Sequence, residues 1–365
     1  MKSGTPRGIK VCPVFARGRP ARVNLYEGRS KDAVCTETTD SEGSIVVDSA
    51  PDIAVLRRGV HGMPMAEYAA ALRERLPEYD VRRAATPEEE RELLASTTVA
   101  TGSTVDPSVL DSAGNLRLFA CSYAGYGHLP IESFEDHGVS VTTASGVHAP
   151  NIAEHVLGFI LAFCRRHHEG WRRQQRREWR AYPTREFAGS TVTVVGLGAL
   201  GGGVVERLQG FDVDTIGIRH SPEKGGSTDE VLGTDDLHDA LARTDYLVLA
   251  VPLTDETEGM IGETELTTLP PDAFVVNVAR GPVIDTDALV SALRSNAIGG
   301  AGLDVTDPEP LPAEHPLWGF ENVLITPHNG GHTPEYYERL ADIVAENLRQ
   351  VEDTGEYEGL RNQVL

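Results

Sequence analysis

The order of elements along this 365-residue chain predicts an α/β protein built from doubly wound parallel sheets. Three observations carry the prediction. A buried strand runs into closely spaced glycines at Thr191-Val-Thr-Val-Val-Gly196-Leu-Gly198-Ala199-Leu200-Gly201. Short apolar runs alternate with helically spaced ones on both sides of it, as parallel strands with crossover helices require. The glycine turn stands mid-chain, so the 190 residues before it leave room for a separate folded unit.

The first strand is expected at 52–57, and 65–76 then spaces Met65, Tyr68, Ala69, Leu72 and Leu76 as one face of a helix. A strand at 79–82 and a Glu-rich helix at 87–94 follow, and further strands fall at 99–101, 116–121 and 139–142. From Asn151 a long helix should carry the chain to the glycine turn. Its later part, 165–180, holds seven Arg in sixteen residues and reads either as a solvated face or as a pairing surface for a second subunit. Beyond the glycines, strands are expected at 213–218, 246–250, 274–277, 300–305 and 323–325, with a final helix over 334–351. Residues 1–50 keep neither period and hold three of the four Lys, so they read as an extension, disordered or upstream of the true start.

The net charge of −22 argues against nucleic acid or anionic membranes as partners. Of 33 basic residues only Lys2, Lys10, Lys31 and Lys224 are Lys. Codon bias accounts for Arg over Lys but not for the acid excess, which fits a halophilic, salt-rich cytoplasm. Cys12, Cys35, Cys121 and Cys164 form no paired motif, as expected of a reduced cytoplasmic protein with no bound metal. The longest apolar run, 152–164, contains Glu154 and His155 and is too short to span a bilayer.

G-x-G-x-x-G between a strand and a helix is a dinucleotide-binding turn: Gly196 allows the tight turn, Gly198 admits the pyrophosphate and Gly201 lets helix and strand approach. Amides at Ala199 and Leu200 then open the helix toward the phosphates. An acidic residue at the end of the second strand would select NAD; here Arg219, His220, Ser221 and Lys224 favour NADP(H) over NAD(H). Asp212 or Asp214 would matter if the register were shifted. Arg280, after the strand at 274–277, has the planar fork that suits a carboxylate. Glu309 and His328 follow the next two strands.

These segments resemble the D-isomer-specific 2-hydroxyacid dehydrogenase family over residues 52–350. The matching stretches are Val194-Val-Gly-Leu-Gly-Ala-Leu-Gly201, Pro252-Leu-Thr-Asp-Glu-Thr257, Asn277-Val-Ala-Arg-Gly281, Gly302-Leu-Asp-Val305 with Glu309-Pro310, and Thr326-Pro-His-Asn-Gly330. The resemblance implies two Rossmann-like domains. The dinucleotide-binding domain, 151–326, is inserted into a substrate domain formed by 51–150 and 327–365. It also implies a homodimer joined through the long helix, and a small-molecule 2-keto or 2-hydroxy acid substrate. His328 would be the acid/base, Glu309 its partner favouring imidazolium, and Arg280 the clamp on the substrate carboxylate. Ala124 and Gly125, in Ser122-Tyr-Ala-Gly-Tyr-Gly127, would offer amides to that carboxylate, although the family often has Asp and Asn where Gly127 and His128 stand. Pro252, Thr257, Ala279 and Asp304 would border the cofactor, Asp304 at the nicotinamide carboxamide.

The implied activity is an NAD(P)-dependent oxidoreductase moving a hydride between the cofactor and C2 of the acid. Within the family, a phosphoglycerate dehydrogenase is the alternative, with Arg57, Arg58 and His61 placed to meet a phosphate. Many such enzymes append a regulatory domain, whereas this chain ends soon after His328. Formate dehydrogenases carry Gln where Glu309 stands. From another class, a nicotinamide-sensing co-repressor could share the fold. Loops after Arg57, around Gly102 and Ser103, and near Trp318 should shape the substrate pocket, with Trp318 itself expected in the core.

Overall fold

The computed structural model describes residues 52–60 and 62–365; the expectations for 1–50 and for His61 lie outside them. The described chain forms two all-parallel sheets, each flanked by helices.

The first sheet takes strands β1 (Ile53–Val55), β2 (Val81–Arg83), β3 (Val99–Gly102), β4 (Leu118–Cys121) and β5 (Ser140–Thr142) in the order β2-β1-β3-β4-β5. Between them lie α1 (Met65–Arg75), α2 (Pro87–Ser96), α3 (Pro107–Leu110) and α4 (Ile131–Asp136). Local chemistry sets the ends. Thr86 caps α2, its hydroxyl accepting from the Glu89 amide at 3.1 Å, and Pro87 with Glu88 to Glu90 fills the first turn. Strands β1 and β3, in the middle, are buried on both faces, as their unbroken apolar runs predict.

The second sheet takes β6 (Thr191–Val195), β7 (Asp214–Ile218), β8 (Glu230–Leu232), β9 (Tyr246–Leu249), β10 (Phe274–Asn277), β11 (Gly300–Leu303) and β12 (Val323–Ile325). Their order is β12-β11-β10-β9-β6-β7-β8. One face packs on α8 (Leu237–Leu241), α9 (Glu263–Thr268) and α10 (Thr286–Ser295). The other packs on α5 (Ala149–Cys164) and α7 (Ala199–Leu208). The chain then returns to the first sheet. Helix α11 (Tyr336–Thr354) buries Tyr336, Tyr337, Leu340 and Val344 with Ile53, Val55, Tyr68 and Leu72.

One sequence expectation fails here, and one strand was not foreseen. The long helix from Asn151 does not run through its arginine-rich part. It ends at Cys164, Arg166 turns left-handed at φ 52°, and a second helix, α6 (His167–Gln175), starts on a new axis. The cause lies in the strap behind it: the Arg185 amide donates to Cys164 O at 2.9 Å, satisfying a carbonyl that a continued helix would have used. Edge strand β8 escaped detection because it is three half-buried residues without alternation.

The glycine turn is dictated by close approach. Gly196 adopts φ +94°, and a Cβ on Gly201 would lie 1.8 Å from Gly196 O. Gly203 abuts Ala149 of α5, where a Cβ would come within 2.9 Å of the alanine methyl, whereas Gly202 faces open space. Gly201→Ala should therefore cost about 1–3 kcal/mol in denaturant unfolding through overpacking. Gly202→Ala should stabilise by about 0.5–1 kcal/mol through helix propensity. Equal effects of the two substitutions would contradict this account of the turn.

Candidate active site

In a parallel sheet, the loops after the strands gather at one edge, and ligands settle where the strand order reverses. In the second sheet that reversal lies between β6 and β9. The glycine turn follows β6, and a Cβ on Gly196 would meet Ala250 O, just past β9, at 2.8 Å. Gly198, the N-cap of α7, has open space where a Cβ would stand, so its backbone can approach a ligand. Residues Gly196, Gly198, Ala199, Leu200 and Gly201 thus form a turn that fits a pyrophosphate.

Arg219 follows β7 directly, its amide donating to Leu232 O at 3.1 Å and its guanidinium to Gly225 O. Lys224 closes the adjoining 3₁₀ turn, Pro222–Lys224, on the same loop as His220 and Ser221. Asp214 pairs with Thr191 at the opposite end of the strand, which removes the shifted-register alternative. Across from this loop, Thr257 closes a turn on Pro252, its hydroxyl donating to Pro252 O at 2.6 Å. Glu256 on that turn stands 3.9 Å from His220.

The candidate catalytic groups come from the loops after β10, β11 and β12. Asn277 shapes the first: its side chain accepts from the Ala279 amide at 3.0 Å and donates to Arg280 O at 2.9 Å, leaving Arg280 exposed and Ala279 buried. Gly281 then presses on the second loop, where a Cβ would lie 2.0 Å from Thr306 O. The Thr306 amide donates to Glu309 Oε1 at 3.0 Å, and Glu309 Oε2 sits 3.0 Å from His328 Nδ1. With Nδ1 turned to the carboxylate, Nε2 is left for a reactant.

His328 itself has φ 53°, a left-handed conformation that costs a non-glycine residue about 1–2 kcal/mol. Asp304 holds it there. Its carbonyl accepts the His328 amide at 2.7 Å. Its carboxylate accepts the Thr326 hydroxyl at 2.6 Å and the amides of Asn329 and Gly330 at 2.8 and 2.9 Å. His155 of α5 adds Nε2, 2.9 Å from Thr326 Oγ1 and 3.4 Å from Asp304 Oδ1. Burial alone would raise the Asp304 pKa, but the His155 and Thr326 contacts and the two amides outweigh it and hold the group at about 2.

On the first sheet, Ala124 and Gly125 are exposed in the loop after β4, and neither amide donates to a protein acceptor among the described residues. His128, at the position where the family pattern departs, pins that loop through Nε2, 2.7 Å from Ser103 O.

Sequence reasoning missed His155 and Asn151, which lie one helical turn apart on α5; Asn151 Nδ2 donates to Gly330 O at 2.5 Å. Their i, i+4 spacing was the available signal. Trp318, expected in the core, is instead 54% exposed. Its indole N–H donates to Pro312 O at 2.9 Å, and the ring lines a cavity of about 580 Å³ with Leu311, Ile325, Glu309 and His328.

Residues 157–330 match the family model described as D-isomer specific 2-hydroxyacid dehydrogenase, NAD binding domain. A glyoxylate reductase of Thermofilum pendens is 37% identical over 253 residues, covering 67% of this chain and 74% of the relative. A D-3-phosphoglycerate dehydrogenase of Methanocaldococcus jannaschii is 32% identical over 294 residues, covering 79% of this chain and 56% of the relative. The crystal structure of a D-isomer specific 2-hydroxyacid dehydrogenase from Xanthobacter autotrophicus, in complex with NADPH and MES, superposes with a TM-score of 0.70 at 30% identity. The superposition covers 87% of this chain and 98% of that one.

A folded pKa depressed to about 2 means that the Asp304 contacts stabilise the fold fully above the unfolded value and are lost as pH falls toward the folded one. Asp304→Asn should therefore cost about 2 kcal/mol at neutral pH, and the deficit should shrink below pH ~4. A deficit independent of pH, measured by denaturant unfolding, would show that the charge is not what binds the loop.

Proposed function

The chain belongs to the D-isomer-specific 2-hydroxyacid dehydrogenase family, and from that membership we propose how its own residues serve a nicotinamide-dependent oxidoreductase acting on small 2-keto and 2-hydroxy acids. The observation that carries the proposal is the 3.0 Å contact between His328 Nδ1 and Glu309. A carboxylate at that distance orients the ring with Nε2 turned away from Glu309, where it would pass a proton to the oxygen of a 2-keto acid as charge develops there. Arg280 would clamp the substrate carboxylate, joined by the free amides of Ala124 and Gly125. The nicotinamide cofactor, when bound, supplies or accepts the hydride at C2. The glycine turn would hold it, with Pro252, Thr257 and Ala279 beside it. Asp304 Oδ2, which accepts one amide in the fold, keeps acceptor capacity for a carboxamide.

For the finer points, the Arg219, His220, Ser221 and Lys224 loop supports NADP(H) over NAD(H), because two cations and a hydroxyl suit a 2′-phosphate. We place the inserted domain at 151–326 and the substrate domain at 51–150 with 327–365. A homodimer is supported by α6 and its strap, where Trp171 is 65% exposed and Trp179 fully so. There Arg173 lies over the Tyr182 ring at 4.7 Å, beside a groove of about 630 Å³. The acid excess supports a halophilic, cytoplasmic setting. No helix among the described residues is long and apolar enough to cross a membrane.

The test is oxidation of NADPH and of NADH, in parallel and in concentrated potassium chloride, against a panel of 2-keto acids. The parent should turn over at least one acid, with NADPH preferred by about tenfold or more, and Arg219→Ala should erase most of that preference. His328→Ala should lower kcat by about 10²–10⁴, the usual worth of an acid/base, with cofactor affinity nearly unchanged. Unaltered turnover in His328→Ala sinks the acid/base assignment, and NADH preference in the parent sinks the Arg219 argument.

A further inference from the structure

The first sheet has a strand reversal of its own. In the order β2-β1-β3-β4-β5 the chain winds one way from β1 and the other way from β3, so the crevice outside the ends of these two strands is a natural ligand position. A cavity of about 480 Å³ occupies it. Its walls are the chain after β1, with Arg57 and Arg58; the chain after β3, with Thr104; and the N-terminal halves of α2 and α3, with Arg91 and Ser108.

In a chain of net charge −22, three arginines on one cavity stand out. Their terminal nitrogens donate to no acceptor among the described residues. Arg57 meets Glu90 only through its amide at 2.9 Å and its Nε at 3.2 Å, and that Nε lacks hydrogen-bond geometry. Among the described residues Arg91 uses only Nε, donating to Pro87 O at 3.2 Å. Arg58 makes no ion pair among the described residues. The two acids on the cavity are occupied: Glu90 with Arg57, and Asp106 with the amide and hydroxyl of Ser108 at 3.0 and 2.8 Å. The cavity therefore offers several guanidinium N–H donors and a formal excess of positive charge, which is the chemistry of an oxyanion site.

The crevice also adjoins the substrate loop. The Ser122 amide donates to Gly102 O at 2.8 Å, and Ser103 O lies 2.7 Å from His128 Nε2, so residues 102–104 separate the cavity from the loop carrying Ala124 and Gly125. We propose that the Arg57, Arg58 and Arg91 cavity is a binding site for an oxyanion, a carboxylate or phosphate group. Its occupant is either the distal acidic end of an elongated 2-keto acid or a free anion. The first source rests on the dehydrogenase reading above; the site does not.

Calorimetric titration of the cofactor-free protein with inorganic phosphate tests the site without turnover. The parent should bind saturably, and the Arg58→Gln/Arg91→Gln double variant, altered at two surface side chains, should bind at least about tenfold more weakly. Absence of saturable binding in the parent, or undiminished binding in the double variant, overturns the proposal. The source follows from the ratio of kcat/KM for a 2-keto dicarboxylate or a phosphorylated 2-keto acid to that for a 2-keto monocarboxylate. A fall of about tenfold in that ratio in the double variant assigns the site to the substrate's far end. An unchanged ratio with weakened phosphate binding assigns it to a free anion. Phosphate binding in a protein that reduces no acid would sustain the site and remove only the dehydrogenase reading.

Discussion

One buried carboxylate holds the candidate active site in place. Asp304 is 4% exposed, yet it stays ionised because every donor around it points inward: the Thr326 hydroxyl, the Asn329 and Gly330 amides, and the His155 ring. A buried charge without such partners would cost several kcal/mol. With them, it becomes the point to which a left-handed His328 is tied, and the tie fixes where the imidazole meets Glu309. The same network reaches into the two crossovers between the sheets. Asn151 of α5 bonds Gly330 O, and Arg339 of α11 bonds both Asn151 Oδ1 and Val147 O, at 3.0 and 2.9 Å. The His328 loop is thus anchored to the segments that join the two sheets, not to the second sheet alone.

The chemistry of the site follows from that topology. Each sheet winds in two directions from a central pair of strands, and each reversal leaves a crevice. In the second sheet glycines line it, because backbone must approach a ligand. In the first sheet arginines line it. Arg280 and Glu309 sit on successive loops that touch through Gly281 and Thr306, so the proposed carboxylate clamp and the proposed acid/base pair share one surface.

Much of this could be read from residue order. Strands β6, β9, β10 and β11 are apolar runs buried in the sheet, and the glycine turn has its meaning only between a strand and a helix. Arg280, Glu309 and His328 stood out as candidates because each follows a strand, and the structure brings Glu309 and His328 into contact. Tertiary events were not legible. The break at Arg166 depends on a strap returning at Arg185, well beyond the reach of local periodicity. Trp318 reads as core by its type, but its indole N–H is satisfied by Pro312 O at the surface, leaving the ring beside His328. His155 reads as one more residue on an apolar helix until Thr326 and Asp304 are brought to it. A helical pattern shows which face is buried and not what the face meets.

The central claim is that the Asp304 carboxylate sets the position of the His328 loop. Hydrogen exchange of the amides of His328, Asn329 and Gly330, compared between the parent and Asp304→Asn, tests it most directly. In the parent all three should be protected, since each donates to Asp304. In the variant the Asn329 and Gly330 amides should exchange markedly faster while β10 and β11 keep their protection. Equal exchange in the two proteins would mean that something other than this carboxylate holds His328 in place.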